Sequence, residues 1–204
     1  KKLQTDKDGN LIILYAQNKD EQYTYIESAK EKGYEVLLLD SPIIPHLMQK
    51  LESKKEKIKF SRVDSDTLEN LIKKDEEVIS KLTDEEKEKL KPMIETAVEN
   101  EKYTVQLEAL DSNSMPFMLA QPEFMRRMKE MQQTGGGAMG NLPDMYSLIV
   151  NTNHELVGKI LNTRTEKKRN SLIKQSIDLA KLSQNNLTGK DLTEFINRSI
   201  DLIK

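Results

Sequence analysis

Two short apolar runs, Leu11-Ile12-Ile13-Leu14-Tyr15 and Val36-Leu37-Leu38-Leu39, stand on either side of one helical stretch. Continuous apolar runs of this length read as strands buried on both faces, the kind found in parallel sheets. Between them, Asp20 to Lys32 repeats Tyr23, Ile26 and Ala29 or Lys30 at helical steps, and Gly33 follows where a left-handed residue closes a helix. Strand, helix and strand in so short a span make a βαβ unit with a right-handed crossover. Asp8-Gly9 is the tight turn that leads in. Pro42 and Pro45 bracket the start of a helix carrying Leu47, Met48 and Leu51, and Ile58 to Val63 alternates as an edge strand.

Charge then takes over. Lys73-Lys74-Asp75-Glu76-Glu77 and Asp84-Glu85-Glu86-Lys87-Glu88-Lys89 read as solvated helix faces or linker. Thr83 and Glu86 have the spacing of a capping box, which starts a helix burying Leu90, Ile94, Ala97 and Val98 and kinked or delayed by Pro92. The sequence therefore divides into residues 1–82 and 83–204. In the second part Tyr103, Val105, Leu107 and Ala109 share one face of a strand, Phe117 to Ala120 forms another, and Tyr146 to Val150 a third. Asn153 is placed to cap a short helix with Leu156, Val157 and Ile160. Two longer helices close the chain, the second opening on the pair Thr188 and Asp191. The expected fold class is α+β: a small α/β subdomain, then a mixed α/β domain ending in a helical hairpin.

That hairpin carries two broad apolar stripes. Leu172, Ile173, Ile177 and Ala180 lie on one helix, and Leu192, Phe195, Ile196, Ile200 and Ile203 on the other. A hairpin with surplus apolar surface buries it against a copy of itself, giving an isologous four-helix bundle. The alternative is that both stripes pack onto the strands of their own domain.

Most of the nine methionines fall between Met115 and Met145, running into Gly135-Gly136-Gly137-Ala138-Met139-Gly140. Phe124, Met125, Met128 and Met131 recur at helical steps, with Arg126, Arg127, Lys129 and Glu130 between them. Methionine is unbranched and polarizable, so a face built from it can re-pack around apolar partners of many shapes. A methionine-padded core helix is the competing use of the same pattern.

Composition removes other classes. The chain of 204 residues is 32% charged with a net charge of −2, which gives no basis for a nucleic-acid or membrane surface. No apolar run approaches the roughly 20 residues needed to cross a bilayer, and no signal-peptide pattern opens the chain. Without cysteine there is no disulfide, thiol catalysis or thiolate-bound metal, which suits a reducing, cytoplasmic setting. His46 and His154 lack partner spacing for a metal and stand at helix starts. Neither phosphate-loop pattern occurs, and no nucleophile stands at motif spacing from a base. No metal and no cofactor is expected here, and catalysis is not.

The order of elements is similar to a known family. Glu35-Val-Leu-Leu-Leu-Asp-Ser-Pro-Ile43 resembles the "EVL-LTDPID" signature near the end of the middle domain of the 90-kDa heat-shock chaperones, with Leu11–Tyr15 as the strand before it. Val63-Asp-Ser-Asp-Thr-Leu-Glu-Asn-Leu71 looks like "VDES-LEKL" of bacterial members, Asn151-Thr-Asn-His-Glu-Leu-Val157 like "NP-HPLV", and Glu194-Phe-Ile-Asn-Arg-Ser-Ile200 like the terminal "F-RRMN-L". The set is collinear over nearly the whole chain.

The resemblance implies the small α/β end of the middle domain followed by the C-terminal dimerisation domain. The ATP- and Mg-binding ATPase domain would lie upstream, as the opening Lys1-Lys2 also suggests. The ending Asp201-Leu-Ile-Lys204 lacks the acidic tail of eukaryotic cytosolic members, which points to the bacterial type. It also implies that the segment Phe124–Met131 faces client proteins. Phe117, Met118, Phe124, Met125, Met128 and Met131 are the expected client-binding residues. The expected partners are a second copy, unfolded clients and co-operating chaperones. The rival reading is a structural or adaptor dimerisation module that is no chaperone.

Overall fold

A computed structural model describes residues 2–75, 78–98, 102–135 and 145–203. In chain order the elements are β1 (Leu11–Ala16), α1 (Tyr23–Glu31), β2 (Val36–Leu38), α2 (Ile44–Lys54), β3 (Ile58–Arg62) and α3 (Leu68–Leu71). They continue with α4 (Asp84–Val98), β4 (Tyr103–Glu108), β5 (Phe117–Ala120), α5 (Glu123–Gly135), β6 (Tyr146–Asn151), α6 (Glu155–Asn162), α7 (Glu166–Ser183) and α8 (Gly189–Ile203). The fold is mixed α/β, built around two small sheets.

These elements form two compact units. The first combines Lys1–Glu77 with Ala120–Met145, and the second Val78–Leu119 with Tyr146–Lys204. The sequence-based division at 82/83 makes both parts continuous, whereas the chain leaves the second unit after Leu119 and returns to it at Tyr146. α5 therefore belongs to the first unit, although in sequence it falls between two segments of the second.

In the first unit the strands run β2-β1-β3, with both pairs parallel. Tyr15 sits opposite Leu37 on one side and Arg62 on the other. β1 is central and its Leu14, Tyr15 and Ala16 are buried, as a continuous apolar run demands. Gly33 has φ +75°, the left-handed conformation that ends α1. α1 turns Tyr25, Ile26 and Ala29 to the core and leaves Tyr23 exposed. One expectation needs correcting. β2 is an edge strand rather than a buried one, with Leu37 and Leu38 both exposed, because only one of its edges is paired.

In the second unit the order is β4-β6-β5, with β6 central and parallel to β4 from Tyr103↔Tyr146 to Glu108↔Asn151. The rings of Tyr103 and Tyr146 stack at 5.8 Å across that pair. The capping box forms: Thr83 N donates to Glu86 Oε2 at 2.8 Å and Glu86 N to Thr83 Oγ1 at 3.3 Å. α4 then runs through Pro92 without a break. Leu90 and Ile94 join Val105, Phe117, Leu148, Val157 and Ile160 in one core, to which α7 adds Ile173, Ile177 and Ala180.

Of the residues expected at the dimer interface, Ile173, Ile177 and Ala180 are buried among residues of α4 and α6 inside their own unit. The surplus apolar surface lies elsewhere on the hairpin. Ile196 and Ile200 are each 47% exposed and Ile203 84%, and Leu179 and Leu182 are exposed on α7. Leu172, Leu192 and Phe195 are half-buried. The two helices meet through polar groups: Gln175 Nε2 donates to Ser199 Oγ at 2.9 Å, and buried Asp178 accepts from Arg198.

Candidate functional site

α5 starts directly after Pro122, whose carbonyl accepts from Arg126 N at 3.1 Å. Stepping along at 3.6 residues per turn, Glu123, Arg126 and Arg127 fall on one side of the helix and Phe124, Met125, Met128 and Met131 on the other. An amphipathic helix ordinarily buries its apolar side. In this one the most buried side chain among the described residues is a charged one. Arg126 is 4% exposed, whereas Phe124 is 71% exposed; Met125, Met128 and Met131 are half-buried.

The charged side is inserted into a polar socket made by β1, α2 and β3. Glu123 Oε1 accepts from the Tyr15 hydroxyl at 2.8 Å, from Arg126 Nη2 at 2.7 Å and from Arg127 Nε at 2.7 Å. Its other oxygen accepts from Arg126 Nε at 3.3 Å and Arg62 N at 3.4 Å. Arg127 Nη1 reaches Glu52 Oε2 at 2.8 Å and its Nη2 reaches the Phe60 carbonyl at 2.6 Å, while Phe60 N donates to Glu52 at 2.7 Å. Arg126 also donates to the Tyr15 hydroxyl, and its guanidinium lies 5.6 Å from the centre of that ring.

Each carboxylate is thus matched by guanidinium donors, the condition under which buried charge is tolerated. Burial pushes the Glu123 carboxyl up, but Arg126 and Arg127 outweigh it and hold it below the ordinary carboxylate value. Burial and the adjacent Glu123 charge push the Tyr15 hydroxyl up, so it remains a proton donor.

Of the expected client-facing residues, Phe124 is exposed, and Met118, Met125, Met128 and Met131 are half-buried. Phe117 stands apart. At 2% exposed it is part of the second unit's core, since alternation along β5 turns it and Leu119 inward. The glycine-rich stretch beyond Gly135 lies outside the described residues.

Sequence reasoning missed the socket, because Tyr15, Glu52 and Glu123 are far apart in the chain. The one available signal was the spacing of Glu123, Arg126 and Arg127, which puts three charges on a single face. Asn153 was expected to cap α6, but His154 does so, its Nδ1 accepting from Leu156 N at 3.0 Å. Asn153 is buried and ties three segments together. Its Oδ1 accepts from Lys81 N at 2.7 Å and its Nδ2 donates to the carbonyls of Ile79 and Leu110, both at 3.0 Å. Asn151, also buried, accepts from Leu110 N and donates to the Asp111 carbonyl.

A cleft of about 470 Å³ beside α6 is lined by Lys81, Asn113, Asn153, His154 and Glu155 among others. Asn153, Lys81 and His154 spend polar atoms there on backbone groups. Among the described residues no group of three or more His, Asp or Glu could hold a metal, and no helix is long and apolar enough to cross a membrane.

A family model described as Hsp90 protein matches residues 8–201. The chain is 36% identical to the chaperone protein HtpG of Bacteroides thetaiotaomicron over 98% of its own length and 40% of that protein's. It is 41% identical to the chaperone protein HtpG of Porphyromonas gingivalis over 88% of its own length and 27% of the relative's. The chain thus spans well under half the length of the curated relatives it matches.

Proposed function

The chain belongs to the Hsp90 protein family, and on that premise we propose that it is the dimerising, client-holding part of a cytoplasmic molecular chaperone. Unfolded polypeptide is held on the outer face of α5. The observation that carries this reading is the inverted docking of that helix, which leaves Phe124 71% exposed while Arg126 is buried. An outward face of Phe and Met suits partners of many sequences, because flexible apolar side chains re-pack where a rigid polar pocket cannot.

A second copy associates through the outer face of the α7–α8 hairpin. Ile196, Ile200 and Ile203 with Leu179 and Leu182 support this, since such a patch is costly to leave in water. Two hairpins would then form a four-helix bundle, with Leu192 and Phe195 at its margin. ATP and Mg would be bound by a domain outside these residues, and no ATP turnover is expected of this chain alone. Co-operating chaperones are further candidate partners of the whole protein.

The test is suppression of aggregation of a chemically unfolded client, comparing the wild type with a Phe124→Ser, Met128→Ser variant. The expected result is several-fold weaker holding with the melting temperature unchanged. Equal holding by the two proteins would sink the client reading and leave the adaptor or structural dimerisation module in its place.

A further inference from the structure

The socket under α5 binds a charged helix face to a sheet, and that chemistry determines how the helix is held. We propose that Glu123, Arg126 and Arg127 form an ionic latch that fixes α5 to the first unit, so that these residues, and not the methionines, set the helix's position. Three observations converge on this. The residues of α5 with the most partners in that unit are the charged ones, reaching Tyr15 on β1, Glu52 on α2 and the Phe60 carbonyl on β3. Glu123 gathers donors from its own helix and from β1 and β3 on one carboxylate. Phe124, on the apolar side of the helix, is 71% exposed and so takes no part in the attachment.

A helix docked through apolar side chains tolerates sliding and rotation, because such contacts carry little directional preference. A helix docked through a forked guanidinium does not, because paired N–H groups must meet paired acceptors. Arg127 makes this kind of contact, spanning Glu52 and the Phe60 carbonyl while its Nε stays on Glu123. The latch therefore fixes both the height and the rotation of α5. Glu123 is its hub, since removing that carboxylate takes a partner from Tyr15, Arg126 and Arg127 together.

The functional consequence, presentation of the apolar face to clients, rests on the reading proposed above; the latch itself does not. Hydrogen exchange of α5 backbone amides tests it without any client. Glu123→Gln keeps shape and helix propensity and removes the charge. It should speed exchange in α5 about tenfold or more while amides of β1 and β3 stay protected. Should that variant unfold the whole unit, seen as loss of β1 protection, Glu52→Gln provides the second arm. It lies on α2, leaves the α5 sequence intact and should give a smaller rise confined to α5. A Phe124→Ser, Met128→Ser variant should leave α5 exchange as in wild type. The latch is overturned if Glu52→Gln leaves α5 protection unchanged, or if the Phe124/Met128 variant loosens α5 more than Glu52→Gln does. Weak client holding decides only the other proposal.

Discussion

α5 and α7 are both amphipathic, and they are mounted in opposite senses. α7 turns Ile173, Ile177 and Ala180 into a core shared with α4 and α6. α5 turns Glu123, Arg126 and Arg127 inward and leaves Phe124 outside. The difference lies in what each helix meets. α7 meets aliphatic side chains, and burying its stripe is worth roughly 1.5–3 kcal/mol per large residue. α5 meets a tyrosine hydroxyl, a carboxylate and an open carbonyl, groups that would be costly to bury unpartnered. Amphipathicity says that a helix has two faces; the neighbour decides which one is covered.

The largest break in that comparison is a charge on the buried α7 stripe. Ile177→Asp should cost about 4 kcal/mol or more, since an unpaired carboxylate would enter a closed apolar core. It should appear in calorimetry as loss of the second unit's transition with the first unit's retained. Next comes Glu123→Ala, expected at about 2–3 kcal/mol because it strands two guanidiniums, discounted from a fully buried pair for the carboxylate's partial exposure. The same group sets an acid limit. Its folded-state value is depressed, so its contribution is complete above the unfolded carboxylate range and is lost as pH falls through the lower folded value. Exchange protection of α5 should accordingly hold at neutral pH and fade only in acid below pH 4.5.

Asn153→Ala should cost about 1–3 kcal/mol by leaving the Lys81 N–H and the Ile79 and Leu110 carbonyls without their partner, read as a lower denaturation midpoint. The smallest effect on folding is expected for Ile200→Asp, within about 0.5 kcal/mol, because the side chain is already half in water. Sedimentation is its proper measure, and an unchanged mass relative to wild type would remove the α8 face as the site of self-association.

Local patterns reached far in this chain. The βαβ start, the Gly33 closure, the Thr83–Glu86 box and the strand from Phe117 to Ala120 each depend on residues close in sequence, and each is in place. What stayed hidden depends on contacts between distant residues. The apolar run at Val36 gave no sign that one edge of its strand would be open. The stripe on α7 was visible, but not that α4 and α6 would cover it. Asn153 looked like a helix cap, when its amide, like that of Asn151, joins loops some forty to seventy residues away in sequence. The candidate site was legible on its outer side, where methionine spacing shows, and illegible on its inner side, where Tyr15 and Glu52 complete it.

The two-sided character of α5 means that salt should act on it in opposite directions. Added electrolyte screens charge pairs, the more so at the partly open Arg127–Glu52 end, and so slackens the inner attachment. Strongly hydrated anions such as sulfate also raise the tendency of exposed apolar groups to leave water, and so favour whatever covers Phe124 and the methionines. A helix held by its apolar side would instead tighten on its own unit under sulfate. Ionic strength is thus a dial that trades attachment of this helix for stickiness of its outer face, and sulfate turns the second part of that dial further than chloride.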